Sequence, residues 1–353
     1  MIKRGSSGLP SNYFLSIGKM IADQWEILTA EIDYGTDIWH LLETTRLVAQ
    51  PEFAHDSEAW PVWYQMNYIW RSRSTASVQQ TVTTAASMNK LMLFSPDRQV
   101  YTNYMGNLAG EEINNYLPEI NNVYGNDHEA KMMAKYIIDW HCQMENENCH
   151  NLAKVNFDRV YTNFDRIDWS DININIRKQS LIYALRVADE SDYTSVEVDL
   201  FRPDVSSSYF RNGVEALSWI KSTDYAIEFL EKAQGGRPDQ YAYAIKQFSG
   251  QYLLRDAVIA YFIDEYDIIL SGWKDEVPSM LDSMCAYMFT NSDEDLLAGL
   301  YEAAENASED DIPAGIQLAF EKCNGRIETN KRWHEDVGAK IVLWLRYFGN
   351  NKA

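Results

Sequence analysis

Apolar residues recur along this chain at steps of three and four, the spacing of a helix with one buried face. Phe14, Ile17, Ile21, Trp25, Leu28 and Ile32 form the first such stripe. Ile38, Leu41, Leu42 and Val48 form a second, with Thr36 or Asp37 placed as N-cap and Pro51 as terminator. The spacing predicts further helices near 107–117 and from Asp127 to about Glu147, the latter with Met133, Ile137, Trp140 and Met144 inward. Others are expected at 177–190, 213–222, 224–233, 238–249, 251–271, 278–289, 293–306, 312–323 and 329–347, several closed by Gly as C-terminal stops. The stretch "DININI" at 171–176 alternates with period two and is the one strand candidate. Joins this short favour antiparallel neighbours. The expected fold class is therefore all-α, a multi-helix array of antiparallel hairpins with at most one short strand near 171–176. A soft boundary at 199–212, "DLFRPDVSSSYFRN", divides an N-terminal helical region (1–200) from a C-terminal one (201–353), unless the two are continuous.

Two segments depart from the amphipathic pattern. Residues 57–70 crowd Trp60, Trp63, Tyr64, Tyr68 and Trp70 together, more large side chains than one helix face buries against its own core. Residues 74–89, "STASVQQTVTTAASMN", carry no charge in a chain that is 24% charged. They read either as a covered helix or as a Ser/Thr linker.

Composition narrows the function classes. The 353 residues are 46% hydrophobic, enough for a substantial core, and carry a formal net charge of −21. Such a chain repels phosphate backbones and anionic headgroups, and its basic residues form no stripe, so sequence-specific nucleic-acid binding and membrane binding are not expected. The run from Asp293 to Asp311 holds eight carboxylates and no basic residue. It reads as a solvated face or as a docking surface for a basic protein. Four cysteines are too sparse for a disulfide scaffold of the small secreted kind, which favours a reducing compartment and a cytoplasmic location.

The densest set of soft ligands is "WHCQMENENCHN", residues 140–151. On one continuous helix Cys142 and Cys149 lie about two turns, or ~10.5 Å, apart. That spacing forbids a shared tetrahedral zinc, whose sulfur ligands each lie at ~2.3 Å. Only a break within Glu145–Asn148 would let the groups converge, and no Gly or Pro enforces one. His141, Cys142, Cys149 and His150 are therefore read as ordinary core and surface residues, and Cys285 and Cys323 as small core residues. No Walker loop, dinucleotide fingerprint or nucleophile elbow occurs.

Two family resemblances bear on catalysis. "YIIDWHCQ" and "LIYALRVADESD", whose Asp189 lies 48 residues after His141, resemble two pieces of the HD-type metal-dependent phosphohydrolases. That resemblance implies His141 and Asp189 as ligands of a divalent metal that activates water. His40 or His55, together with Asp56, would complete the set. "FIDEYD" is similar to the Asp-rich helix of class I terpenoid synthases, implying Mg²⁺ at Asp264, Glu265 and Asp267 and a diphosphate contact at Arg346-Tyr347. The His-Asp pair, His55-Asp56, lies beyond the terminator Pro51 rather than at the end of an apolar helix, and only fifteen residues after His40; the second metal motif of the synthases is absent.

The reading preferred from sequence is a noncatalytic, cofactor-free protein that self-assembles into a homo-oligomer or binds other proteins. A shell or coat subunit of a small virus is the concrete version, with the virion then its location. The aromatic residues at 60–70 form the expected interface.

Overall fold

The computed structural model describes residues 89–108, 128–161, 172, 176–202, 205–236, 238–308 and 311–346. The helices expected at 14–32 and 36–48, the aromatic block at 60–70, residues 74–88, and the 107–117 helix beyond Leu108 lie outside them. So does most of 171–176. Ile172 and Ile176 at either end of that stretch are both buried, and Ile176 leads directly into a helix; no strand occurs among the described residues.

The all-α expectation holds. In chain order the helices are α1 (Arg98–Leu108), α2 (His128–Gln143), α3 (Glu147–Tyr161), α4 (Arg177–Ala184) and α5 (Glu190–Leu200). They continue with α6 (Ser207–Leu217), α7 (Thr223–Gln234), α8 (Pro238–Ser249), α9 (Arg255–Asp264) and α10 (Tyr266–Trp273). The last four are α11 (Val277–Met284), α12 (Asn291–Asn306), α13 (Ala314–Trp333) and α14 (Ala339–Trp344). The described residues form two compact units. One draws on residues 89–108, 128–149, 172, 176–179 and 333–346, the other on 150–161, 180–202, 205–236, 238–308 and 311–332. Residues 199–212 fall inside the second unit, where α5 and α6 pack together.

The second unit is organised around α8. Pro238 opens it at a position where the missing N–H costs nothing, and Gly250 follows its end. Tyr241, Ala242, Ala244, Ile245 and Phe248 are all buried, because α6, α7, α9, α10 and α11 each pack against this helix. Phe248 stacks on Phe229 of α7 with ring centroids 5.6 Å apart, and Tyr241 meets Trp273 of α10 at 4.5 Å. Each such side chain contributes ~1.5–3 kcal/mol on leaving water, so this aromatic and aliphatic cluster dominates the unit's stability. The contact of α5 with α6 is closer still. A Cβ on Gly213 would overlap the Cδ2 of Leu200, which is itself buried, so the helices approach at a distance only glycine permits.

Local boundaries differ from the sequence expectation where tertiary contacts intervene. The stretch 251–271 is two helices, with a break at Glu265. Asn324-Gly325 does not stop a helix. Around it α13 is held to the α11 end by a disulfide from Cys323 to Cys285, by Arg326 with Asp282 at 3.0 Å, and by Asn330 donating to the Ala286 and Met288 carbonyls. These contacts offset the ~1 kcal/mol by which an interior glycine disfavours a helix. The interval between the helices expected at 177–190 and 213–222 holds α5 and the start of α6, each with a side-chain N-cap.

At the α9–α12 contact a buried ion pair does what apolar packing cannot. Asp293, 1% exposed, receives Arg255 Nη2 at 2.6 Å and the backbone amides of Phe289 and Thr290 at 2.8 Å each. Thr290 reciprocates, its Oγ1 accepting from Asp293 N, which completes a capping box at the start of α12. Arg255 also donates to the Tyr287 carbonyl and to Asp256.

Two stability outcomes follow. Asp293→Ala leaves a buried guanidinium and two amides without their acceptor and costs about 3–5 kcal/mol in urea unfolding. Asp293→Asn, which keeps an acceptor but no charge, falls between it and the parent; equal stability of all three chains would contradict the arrangement. Gly213→Ala forces Leu200 from its place and lowers stability by about 1–3 kcal/mol in the same measurement.

Candidate functional site

The cluster at 140–151 is where local geometry departs furthest from expectation. α2 ends at Gln143 and α3 begins at Glu147, so the helix does not run through "ENEN". Glu145 takes φ 60, a left-handed conformation rarely adopted by residues with a Cβ. The turn is held from both sides. Asn146 N donates to His141 O, and the Asn146 side-chain oxygen accepts from Cys149 N at 3.1 Å. The reversal brings the Cα atoms of Cys142 and Cys149 to 5.3 Å, and the two sulfurs form a disulfide. Reading both residues as unbridged packing positions is therefore corrected: it assumed a continuous helix, and the asparagine-supported turn removes that premise. Cys285 and Cys323 are buried, as expected of small core residues, but they also form a disulfide, which that reading did not include; no described cysteine is free. His141 is fully buried in the first unit, and His150 lies against the Tyr183 ring in the second, centroids 6.4 Å apart.

Asp189 is occupied structurally. It is the N-cap of α5, with Oδ1 accepting from Ser191 N at 2.9 Å, Ser191 Oγ at 2.6 Å and Asp192 N at 3.2 Å. Asp192 returns a carboxylate oxygen to Asp189 N at 3.1 Å and also pairs with Lys154 at 3.1 Å. The Ser191 hydroxyl first, then the Asp192 amide, hold the Asp189 carboxyl below its ordinary value. The remaining residues of the phosphohydrolase set, His40, His55 and Asp56, lie outside the described residues, as do Trp60, Trp63, Tyr64, Tyr68 and Trp70. Among the described residues no group of three or more His, Cys, Asp or Glu is placed to hold a metal ion.

Two of the three carboxylates of "FIDEYD", Asp264 and Asp267, flank an open groove of about 340 Å³, and Glu265 does not line it. Asp264, Asp267, Glu302 and Asn306 form its polar lining and Ile263, Tyr266, Gly299 and Ala303 the remainder. Burial pushes the Tyr266 hydroxyl up to about 12, so it stays protonated across the working range. Asp264, Asp267 and Glu302 are exposed and water-screened, which makes the groove attractive to cations in general rather than selective for one. Arg346 of the first unit is engaged with Asp97.

The acidic run from Asp293 is only partly a solvated face. Asp293 is buried and paired, and Glu294 is bonded to Lys331. Asp295, Glu302, Glu305 and Asp311 are exposed. Sequence reasoning also passed over Arg255, Glu197 and Arg186. Glu197 accepts from Tyr225 Oη at 2.5 Å and Lys232 Nζ at 2.9 Å. Arg186 lies over the Trp219 and Tyr252 rings and donates to the Trp219 carbonyl and the Tyr252 hydroxyl. The available signal was charge set inside an apolar stretch, as with Arg255-Asp256 in "LLRDAVIAYF".

The lowered Asp189 pKa fixes a pH dependence. A carboxyl whose folded value lies below its unfolded one stabilises the fold above the unfolded value, 3.8, and that contribution disappears as pH falls through the folded value. Asp189→Asn keeps the cap without the charge, so its stability relative to the parent should improve as pH drops below about 4. Unfolding curves measured from pH 6 to pH 2 check this; a parent–variant difference that does not change with pH would contradict it. Compared with known proteins, the sequence matches no family model, and no curated protein matches it.

Proposed function

We propose that this is a noncatalytic, self-associating helical protein, with a shell or coat subunit of a small virus as its concrete form. The observation that carries the reading is the use made of buried charge. Arg186, Glu197, Arg255 and Asp293 each bond to a residue beyond their own helix, so these side chains act as ties in a framework. A rigid framework of this kind suits a building block, whose task is to present fixed surfaces to its neighbours. The aromatic residues Trp60, Trp63, Tyr64, Tyr68 and Trp70 supply the contact surface, since large aromatic side chains dominate the energetics of protein interfaces.

The exposed carboxylates Asp295, Glu302, Glu305 and Asp311 form a second surface, fitted to a basic protein partner. A net charge of −21 suits a shell that encloses a stiff duplex loosely better than one that grips nucleic acid through basic tails. No described helix is long and apolar enough to cross a membrane. Of the two locations expected from sequence, cytoplasm and virion, the virion agrees better with paired cysteines, because disulfides persist on particles outside the reducing cytosol.

Size-exclusion chromatography with light scattering tests the reading. The parent chain should elute as a large assembly. Trp63→Ala combined with Trp70→Ala should shift the mass toward monomer with helical circular dichroism unchanged. A parent chain that stays monomeric at high concentration would sink the proposal.

A further inference from the structure

We propose that the chain carries a redox lock: two thiol pairs that a disulfide oxidant such as glutathione disulfide converts into one staple in each unit. Cys142–Cys149 ties the last turn of α2 to the first turn of α3 across the left-handed residue Glu145. Cys285–Cys323 ties the end of α11 to α13, closing 38 residues that include the whole of α12.

The geometry accommodates both oxidation states. The Cα separations of 5.3 and 5.4 Å lie in the range that a disulfide bridges without backbone movement. The thiol state is also provided for. Cys149 Sγ lies 3.5 Å from the Ile138 carbonyl oxygen and Cys323 Sγ 3.6 Å from the Leu281 carbonyl oxygen, so in each pair one S–H has an acceptor waiting. The turn at Glu145 has its own supports in the Asn146 hydrogen bonds and does not need the sulfur bridge to form. The chain can therefore fold reduced and be hardened afterwards.

In each pair one thiolate attacks glutathione disulfide, forming a mixed disulfide and releasing one glutathione thiolate, which takes up a proton. The second protein thiolate then attacks the mixed disulfide and releases the second glutathione. One oxidant molecule is reduced to two thiols for each protein disulfide formed. The four cysteines are 0–1% exposed, so exchange in either direction requires local opening. Once formed, the staples resist a thiol reductant for as long as the fold holds. The lock does not depend on self-association, which the light-scattering mass tests separately.

The full chain, fully reduced and then transferred to a glutathione disulfide buffer, should lose all iodoacetamide-reactive thiols when subsequently denatured. Peptide mapping should show only the Cys142–Cys149 and Cys285–Cys323 links. Persisting thiols or crossed pairs would overturn the proposal. The oxidised chain should melt roughly 5–10 °C above the reduced one, since closing loops of these lengths restricts the unfolded ensemble. Cys142→Ser with Cys149→Ser should remove the smaller part of that difference and Cys285→Ser with Cys323→Ser the larger. Coincident melts of oxidised and reduced parent would refute it without recourse to variants. Reduction by excess glutathione should be at least tenfold slower on the folded protein than in urea; equal rates would refute the role of burial.

Discussion

Asp293 is the point on which the second unit turns. A carboxylate this deeply buried is tolerable only if its charge and both its oxygens are answered, and here a guanidinium and two backbone amides answer them. The same atoms perform two tasks: they start α12 and they fix α12 against α9. Apolar packing sets how closely two helices approach, and a charged, directional contact adds a fixed partner for each polar atom. Arg255 extends the constraint through its bond to the Tyr287 carbonyl, so the end of the 3₁₀ turn after α11 is positioned by the group that anchors α9.

Around that anchor the apolar side chains gather on α8, and the remaining buried polar groups repeat its logic at smaller scale. Glu197 joins α5 to α7 through Tyr225 and Lys232, while Arg186 joins the turn after α4 to Trp219 and Tyr252. Each tie satisfies a group whose desolvation would otherwise oppose folding, and each makes one helix arrangement preferable to its near alternatives. Scaffolding uses of this kind consume the chemistry that a reader of the sequence would assign to catalysis. Asp189 is the plain instance, a carboxylate in a motif resembling a hydrolase that holds the first amides of a helix.

A framework tied in this way presents surfaces of fixed shape, and its exposed charge is strongly acidic. Both properties suit an assembling subunit with aromatic contacts and a basic partner. The paired cysteines add a means of changing rigidity without changing the fold, because one sulfur of each pair lies within reach of a carbonyl oxygen that its thiol can use once the S–S bond is opened and the sulfurs move apart.

The sequence by itself determined the helical class and those boundaries that depend on local chemistry. Pro238 and Gly250 delimit α8 at the expected residues, and the Thr290-x-x-Asp293 pattern starts α12 within two residues of the expected place, because proline geometry and N-terminal caps act over a single turn. Contacts between distant residues decided the rest. Asn324-Gly325 has the composition of a helix stop, yet Arg326, Asn330 and Cys323 bind partners about forty residues away and carry the helix through it. Asp293 looked like the first of a row of solvated acids until Arg255, distant in sequence, reached it. The cysteine pairs depended on where the chain turned, at Glu145 without a glycine and at the α11–α13 contact across a whole helix. Spacing along a chain reports which residues share a face, but a bond between faces forms only after packing has chosen which of them meet.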